Sequence, residues 1–140
     1  MATPGPGEGD LYFRSPGVAT VTWDESTSTV LVEWEGWADS TEFKTLLGAG
    51  MRALVDHGGS NWLADCRRQR TLKPADQDWG DKVWLPRVVA AGLKRFAVVL
   101  PTSQLATMNL QDREDTMRRM GLNVGYFATV EAARNWLQTS

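Results

Sequence analysis

The side chains best suited to chemistry lie in one short stretch: Asp65, Cys66, Arg67 and Arg68, followed by Arg70 and Lys73. Guanidinium groups next to a helix starting near Pro74 would hold a phosphate or carboxylate through charge-assisted hydrogen bonds, helped by the positive end of the helix dipole. The same charges would equally pair with Asp76, Asp78 and Asp81 as a solvated surface network, and exposed pairs of that kind are common and weak. Cys66 beside two arginines has a setting that lowers a thiol pKa, but a nucleophile also needs a base within reach. The single histidine, His57, stands upstream in the helix-ending run His57-Gly58-Gly59, where it serves the C-terminal end of its helix. A buried structural thiol is therefore expected. One cysteine and one histidine allow neither an internal disulfide nor a site of several His and Cys ligands. There is no glycine-rich phosphate loop and no Ser-His-Asp order. Asp112, Glu114 and Asp115 among Arg113, Arg118 and Arg119 read as a solvated helix face. No catalytic residue, metal ligand or cofactor is expected, and the chain does not read as an enzyme.

The unusual residue type is tryptophan, with seven copies. Trp79 and Trp84 are five positions apart, which on a regular helix separates them by about 140°. One ring can then face the core while the other lines a pocket or a partner surface. Core filling around a kink at Pro86 is the competing reading. The candidate ligand-binding residues are thus Asp65, Arg67, Arg68, Trp79 and Trp84.

These groups need a scaffold, and its centre is the stretch Arg95-Phe96-Ala97-Val98-Val99-Leu100-Pro101. Five consecutive apolar residues before a proline lack the alternation of a half-wet strand. They predict a strand buried on both faces of a mostly parallel, helix-covered sheet. Upstream, Val18 to Trp23 and Val30 to Glu35 alternate around a polar turn and predict a hairpin. Asp39 with Glu42 makes a capping pair for a helix whose stripe is Phe43, Leu46, Leu47, Gly50, Met51, Leu54 and Val55. Gly50 in that stripe points to close backbone packing against the sheet. Asn61 to Cys66 is the next strand. The helix from Pro74 should kink or split at Pro86, whose ring clashes with the Lys82 carbonyl. Thr102 to Met108 reads as a loop, Asn109 to Met120 as a capped surface helix, and Leu122 to Ala128 as the last strand. Thr129 caps a final helix with Val130, Ala133, Trp136 and Leu137 facing inward. The expected fold is α/β: a five-stranded mixed sheet, mostly parallel, with an N-terminal hairpin whose first strand lies antiparallel at one edge.

Bulk properties narrow the partners. A chain of 140 residues suits one domain, expected over residues 11–140, behind a Pro/Gly-rich and acidic tail, 1–10, expected to be disordered. A net charge of −2 gives no general attraction to nucleic acid. No apolar run is long enough to span a membrane, and the start lacks the marks of a signal peptide, so a cytoplasmic location is expected.

Several blocks, in order and spacing, carry a likeness. They are Leu11-Tyr12-Phe13, Val32-Glu33-Trp34-Glu35-Gly36, Trp62-Leu63-Ala64-Asp65, Asp78-Trp79 leading to Trp84-Leu85-Pro86-Arg87, Ala91 through Val99, and Tyr126-Phe127 leading to Glu131-Ala132-Ala133 and Trp136-Leu137. Together they resemble the SpoIIAA-like group of the STAS and SEC14 superfamily, in particular uncharacterised bacterial single-domain proteins. The resemblance implies a STAS-type regulatory or interaction module. STAS domains of the anti-sigma-factor antagonist type are switched at a serine in an Asp-Ser-Ser-like motif; the matching region here, Arg70 to Asp76, has no serine, and its only hydroxyl is Thr71. The serine switch is therefore not expected. SEC14-type relatives enclose lipids in a larger domain, and this chain has no extra helices to do so.

Two functions follow as expectations. The first is a non-enzymatic module that presents a tryptophan-bearing surface to another protein or to itself, for example as a homodimer through the hairpin face. The second is a binder of a small anionic or apolar ligand at Asp65, Arg67, Arg68, Trp79 and Trp84.

Overall fold

Period-two alternation in the first quarter of the chain produces three antiparallel strands. In the computed structural model, which describes residues 10–70 and 72–139, these are β1 (Asp10–Ser15), β2 (Ala19–Asp24) and β3 (Thr29–Trp34). Three parallel strands follow, β4 (Asn61–Asp65), β5 (Arg95–Val99) and β6 (Asn123–Phe127), and the spatial order is the sequence order, β1 to β6. The sheet thus has six strands where five are expected. The extra strand is β1, the segment opening at Asp10 and containing Leu11-Tyr12-Phe13, whose side chains are too exposed to announce a strand by burial alone. It pairs antiparallel with β2, so β2 is not an edge strand as the hairpin reading expects. The expected tail falls on residues 1–9, outside the described residues, and its last position, Asp10, belongs to β1.

A strand order that runs straight through the sequence has a geometric consequence. Right-handed crossovers from β3 to β4, β4 to β5 and β5 to β6 all lay their helices on the same face. On that face α1 (Ser40–His57) packs over β1, β2 and β3, while a helical segment at 74–90 and α5 (Leu110–Arg119) are left to cover the rest. The opposite face receives only α6 (Val130–Gln138), which covers β4, β5 and β6. Two cores result. The larger joins Val21, Val30, Val32 and Trp62 to Leu46, Leu54 and Val88; the smaller joins Leu31, Leu63, Ala97 and Val99 to Ala133 and Leu137.

Local signals set the helix ends. The Asp39 side chain accepts from Glu42 N at 2.8 Å and the Glu42 carboxylate accepts from Asp39 N at 3.3 Å, a reciprocal capping box. Gly58, at φ 60°, closes α1 in the left-handed conformation. Asn109 caps α5 and Thr129 caps α6, each through a side-chain oxygen. Val55 departs from the expected stripe: it is exposed, because Leu54, one position earlier and about 100° round the helix, takes the buried place in the last turn of α1.

Residues 74–90 do not split at Pro86. They run as α2 (Pro74–Trp79), a π-helical stretch (Gly80–Trp84) and α3 (Leu85–Ala90). The Leu85 N–H donates to the Gly80 carbonyl, five residues back, and this wider turn just before Pro86 relieves the expected clash without ending the helix. It also changes where the tryptophans point. Residues five apart come nearer to one side of a π turn, so Trp84 is buried and Trp79 still packs on the core through Phe43, with ring centroids 6.2 Å apart. The region expected as loop after Pro101 contains a single helical turn, α4 (Thr102–Leu105).

Candidate functional site

The segment expected to be dry on both sides is dry on one. Alternation along β5 sends Ala97 and Val99 into the small core under α6, where both are fully buried. Phe96 and Val98 point the other way and are only partly buried, because α1 lies over the opposite half of the sheet. They form the floor of a cavity of about 470 Å³.

The walls of this cavity come from three crossovers, the one between β4 and β5 supplying two of them. α1 contributes Phe43 and Leu47, the π-helical stretch contributes Gly80, Asp81 and Trp84, and the loop after β4 contributes Cys66, Gln69, Arg70 and Leu72. Met108 and α5 residues Arg113 and Met117 close the far side against Val124 and Tyr126 of β6. The interior is apolar and the polar groups stand mainly on elements that reach it from the outside, the pattern of a site for a small molecule. Its position, over the carboxyl halves of parallel strands, is where open α/β sheets take ligands.

An aromatic cluster holds the floor rigid. Trp62 stacks on Phe96 at 6.0 Å, and Trp84 meets Trp62 edge-on at 5.0 Å. Trp84 Nε1 donates to the Leu47 carbonyl at 3.1 Å, a buried bond that ties the π-helical stretch to α1. Burial pushes the Cys66 thiol up to about 12, with the Asp65 charge adding to the effect, so the neighbouring arginines do not activate it. At the rim, partial burial raises the Asp81 carboxyl above its ordinary range; Arg113 works against that rise and Asp78 adds to it. Burial also raises the Tyr126 hydroxyl, opposed by Arg113 beside it.

The five residues singled out in the sequence do not converge. Trp84 lines the cavity. Trp79 lies outside its lining, against Phe43, with the Lys44 ammonium 5.3 Å from its ring centre. Asp65, Arg67 and Arg68 line a separate recess of about 290 Å³ with Glu33, Trp34 and Glu35. There Arg67 grips Asp65 with two hydrogen bonds, Nε to Oδ1 at 2.9 Å and Nη2 to Oδ2 at 2.7 Å. Burial alone would raise the Asp65 carboxyl, but these bonds outweigh it and hold the group below its ordinary range. Partial burial, and Asp65 as its register partner across the sheet, raise the Glu33 carboxyl. Three carboxylates against two guanidiniums make this recess a poor seat for an anion. The solvated network expected among Arg67, Arg68, Arg70, Lys73 and the three following aspartates does not form as such. Asp78 pairs with Lys82 at 2.8 Å, and Asp76 is buried.

His57 does sit at the end of α1, but its ring is stacked on Trp23 at 4.5 Å with Nε2 3.2 Å from Asp10 of β1. Thr71 is outside the described residues. Sequence reasoning did not single out Arg113, Asp81 and Tyr126 as site residues. The available signal was Met108 and Met117 on a largely charged segment, apolar residues with nothing obvious to cover.

A family model described as SpoIIAA-like matches residues 29–138, from the first residue of β3 to the end of α6. No curated protein and no solved structure matches the chain. No helix among the described residues is long and apolar enough to cross a membrane.

Proposed function

The chain belongs to the SpoIIAA-like family, and from that premise we propose that it is a non-catalytic regulatory module whose cavity over β5 and β6 holds a small, largely apolar ligand. One observation carries the reading: Phe96 and Val98, on a central strand whose other face is sealed, are turned toward a walled space of about 470 Å³. Core side chains that are only half covered by their own fold are suited to being covered by something else. Of the residues singled out in the sequence, Trp84 is the ligand contact in this proposal. Asp65 and Arg67 are paired with each other at the end of β4 with Arg68 beside them, and Trp79 packs on Phe43 of α1. Catalysis is not part of the reading, since the thiol in the cavity is un-ionised and has no histidine beside it.

A thermal-shift screen of small amphiphiles tests this. A ligand at a hundred times its dissociation constant adds about 2.7 kcal/mol of stability. Val98→Trp, which fills the floor, should abolish the shift while the variant still folds. An equal shift in Val98→Trp, or no response to any amphiphile in the parent, would sink the reading.

Protein interaction, the first of the two functions expected from the sequence, is the second reading here, favoured by one feature. Trp37, in the loop after β3, is 44% exposed with the Lys73 ammonium 5.2 Å from its ring centre. An exposed tryptophan of this kind suits an interface with another protein or a second copy. Sedimentation of the parent and Trp37→Ala tests it: a concentration-dependent complex lost in the variant supports it, and a monomer indifferent to concentration and to added partner does not. A serine switch is not proposed, since residues 70–76 contain no serine.

A further inference from the structure

We propose that the ligand of this cavity is an amphipathic anion, its negative head held at the rim by Arg70 and Arg113 and its apolar body lying on Phe96, Val98 and Trp84. The inference rests on the reading that the cavity is a binding site, and adds to it the charge, size and orientation of what binds. Arg70 and Arg113 reach the cavity from unrelated elements, the loop after β4 and α5. Neither belongs to an ion pair among the described residues, where the five pairs all use other groups. Two guanidiniums free of close ion pairs beside an apolar space, Arg113 with Tyr126 and Asp81 as its neighbours, are the arrangement that fixes a carboxylate or phosphate head.

The sole carboxylate in the lining is Asp81, so two positive groups face one negative group. The groups around Asp81 are Asp78 on its own helix, Arg113 on α5 and Tyr126 on β6. An anionic head brought to Arg113 competes with Asp81 for the same guanidinium and favours protonation of the Asp81 carboxyl. Asp81→Asn, which removes the competing carboxylate, should therefore tighten anion binding at neutral pH. Size follows from volume. At roughly 30 Å³ per water-sized group, 470 Å³ takes on the order of fifteen non-hydrogen atoms, one chain or a small ring system and not a two-chain lipid.

The experiment compares probes with one common tail: dodecanoate, dodecyl phosphate, dodecanol and dodecyltrimethylammonium, titrated below their micellar concentrations and followed by calorimetry. The expected result is that at least one of the two anions binds on the order of tenfold tighter than the alcohol, the worth of one charge-assisted contact, and the tighter anion identifies the head. Arg70→Met with Arg113→Met should remove that preference and leave dodecanol affinity unchanged, which also reports that the variant is folded. The proposal is overturned if dodecanol or the ammonium binds as tightly as both anions, or if the preference survives in the double variant. It is also overturned if Asp81→Asn leaves the tighter anion's affinity unchanged or weaker at neutral pH. If no probe binds the parent, the cavity reading itself fails, a result distinct from equal binding of all heads.

Discussion

Gly50 of α1 lies so close to the indole of Trp62 on β4 that a Cβ placed on it would be 2.1 Å from Trp62 Cη2. Helix propensity argues the other way, favouring alanine by about 1 kcal/mol. Contact should win, because Trp62 is 1% exposed and locked between Phe96 and Trp84. Gly50→Ala should lose about 1–3 kcal/mol, read as a lower urea midpoint at unchanged slope. A variant as stable as the parent would mean that α1 can lift off the sheet freely.

Trp84→Phe removes a side-chain donor to the Leu47 carbonyl and part of the ring that meets Trp62. A net loss of about 1–3 kcal/mol is expected from the bond and the lost contact together. Thermal unfolding monitored by circular dichroism measures it, and a change within a few tenths of a kcal/mol would show that the bond holds nothing in place.

The bidentate Arg67–Asp65 pair gives a pH signature. Asp65 is held below its ordinary value of 3.8. A depressed carboxyl contributes stability that is present above the unfolded value and lost as pH falls through the folded one. The pair is partly exposed, so Arg67→Ala should cost at most about 1 kcal/mol at neutral pH. The gap between variant and parent should close below pH 3.8. Urea titrations across that range decide it; a gap that persists in acid would assign the effect to packing.

Cys66 should be silent in the folded protein. With its thiol pushed up to about 12, the nucleophilic thiolate is scarce at neutral pH, and alkylation of this half-buried group by iodoacetamide should be slow unless the protein is unfolded. Rapid labelling under native conditions, followed by mass spectrometry, would contradict the burial described for the cavity wall.

What the sequence discloses about this fold depends on how local each signal is. The ends of α1 and α6 are legible because Asp39, Glu42 and Thr129 act within one turn of themselves, and Gly50 announces a close approach by being a glycine where a helix prefers any other residue. β1 is not legible, since Leu11 is 59% exposed and its strand is defined by hydrogen bonds to β2, not by burial. Val55 fits the periodicity and yet faces solvent, because the pattern does not say how wide the covered stripe is, and Leu54 fills it there. The candidate site suffers most. Arg70, Asp81 and Arg113 are spread over more than forty positions and line one cavity only because two successive crossovers, β4 to β5 and β5 to β6, share a face. The tight cluster at Asp65 to Arg68, so prominent in the sequence, satisfies its charges largely within itself.

The π-helical stretch carries one residue more than an ordinary α-helix needs between the same endpoints. A homologue shortened by a single codon within Gly80–Trp84 would therefore span the same endpoints as ordinary α-helix, with the side chains from Leu85 to Ala90 still facing the sheet as they do here. The change would be confined to the widened turn, whose Gly80, Asp81 and Trp84 line the cavity, so the wall would be rebuilt while the helices on either side stayed put. Alignments of such homologues should place their gap here, and chains that carry it should bind something else.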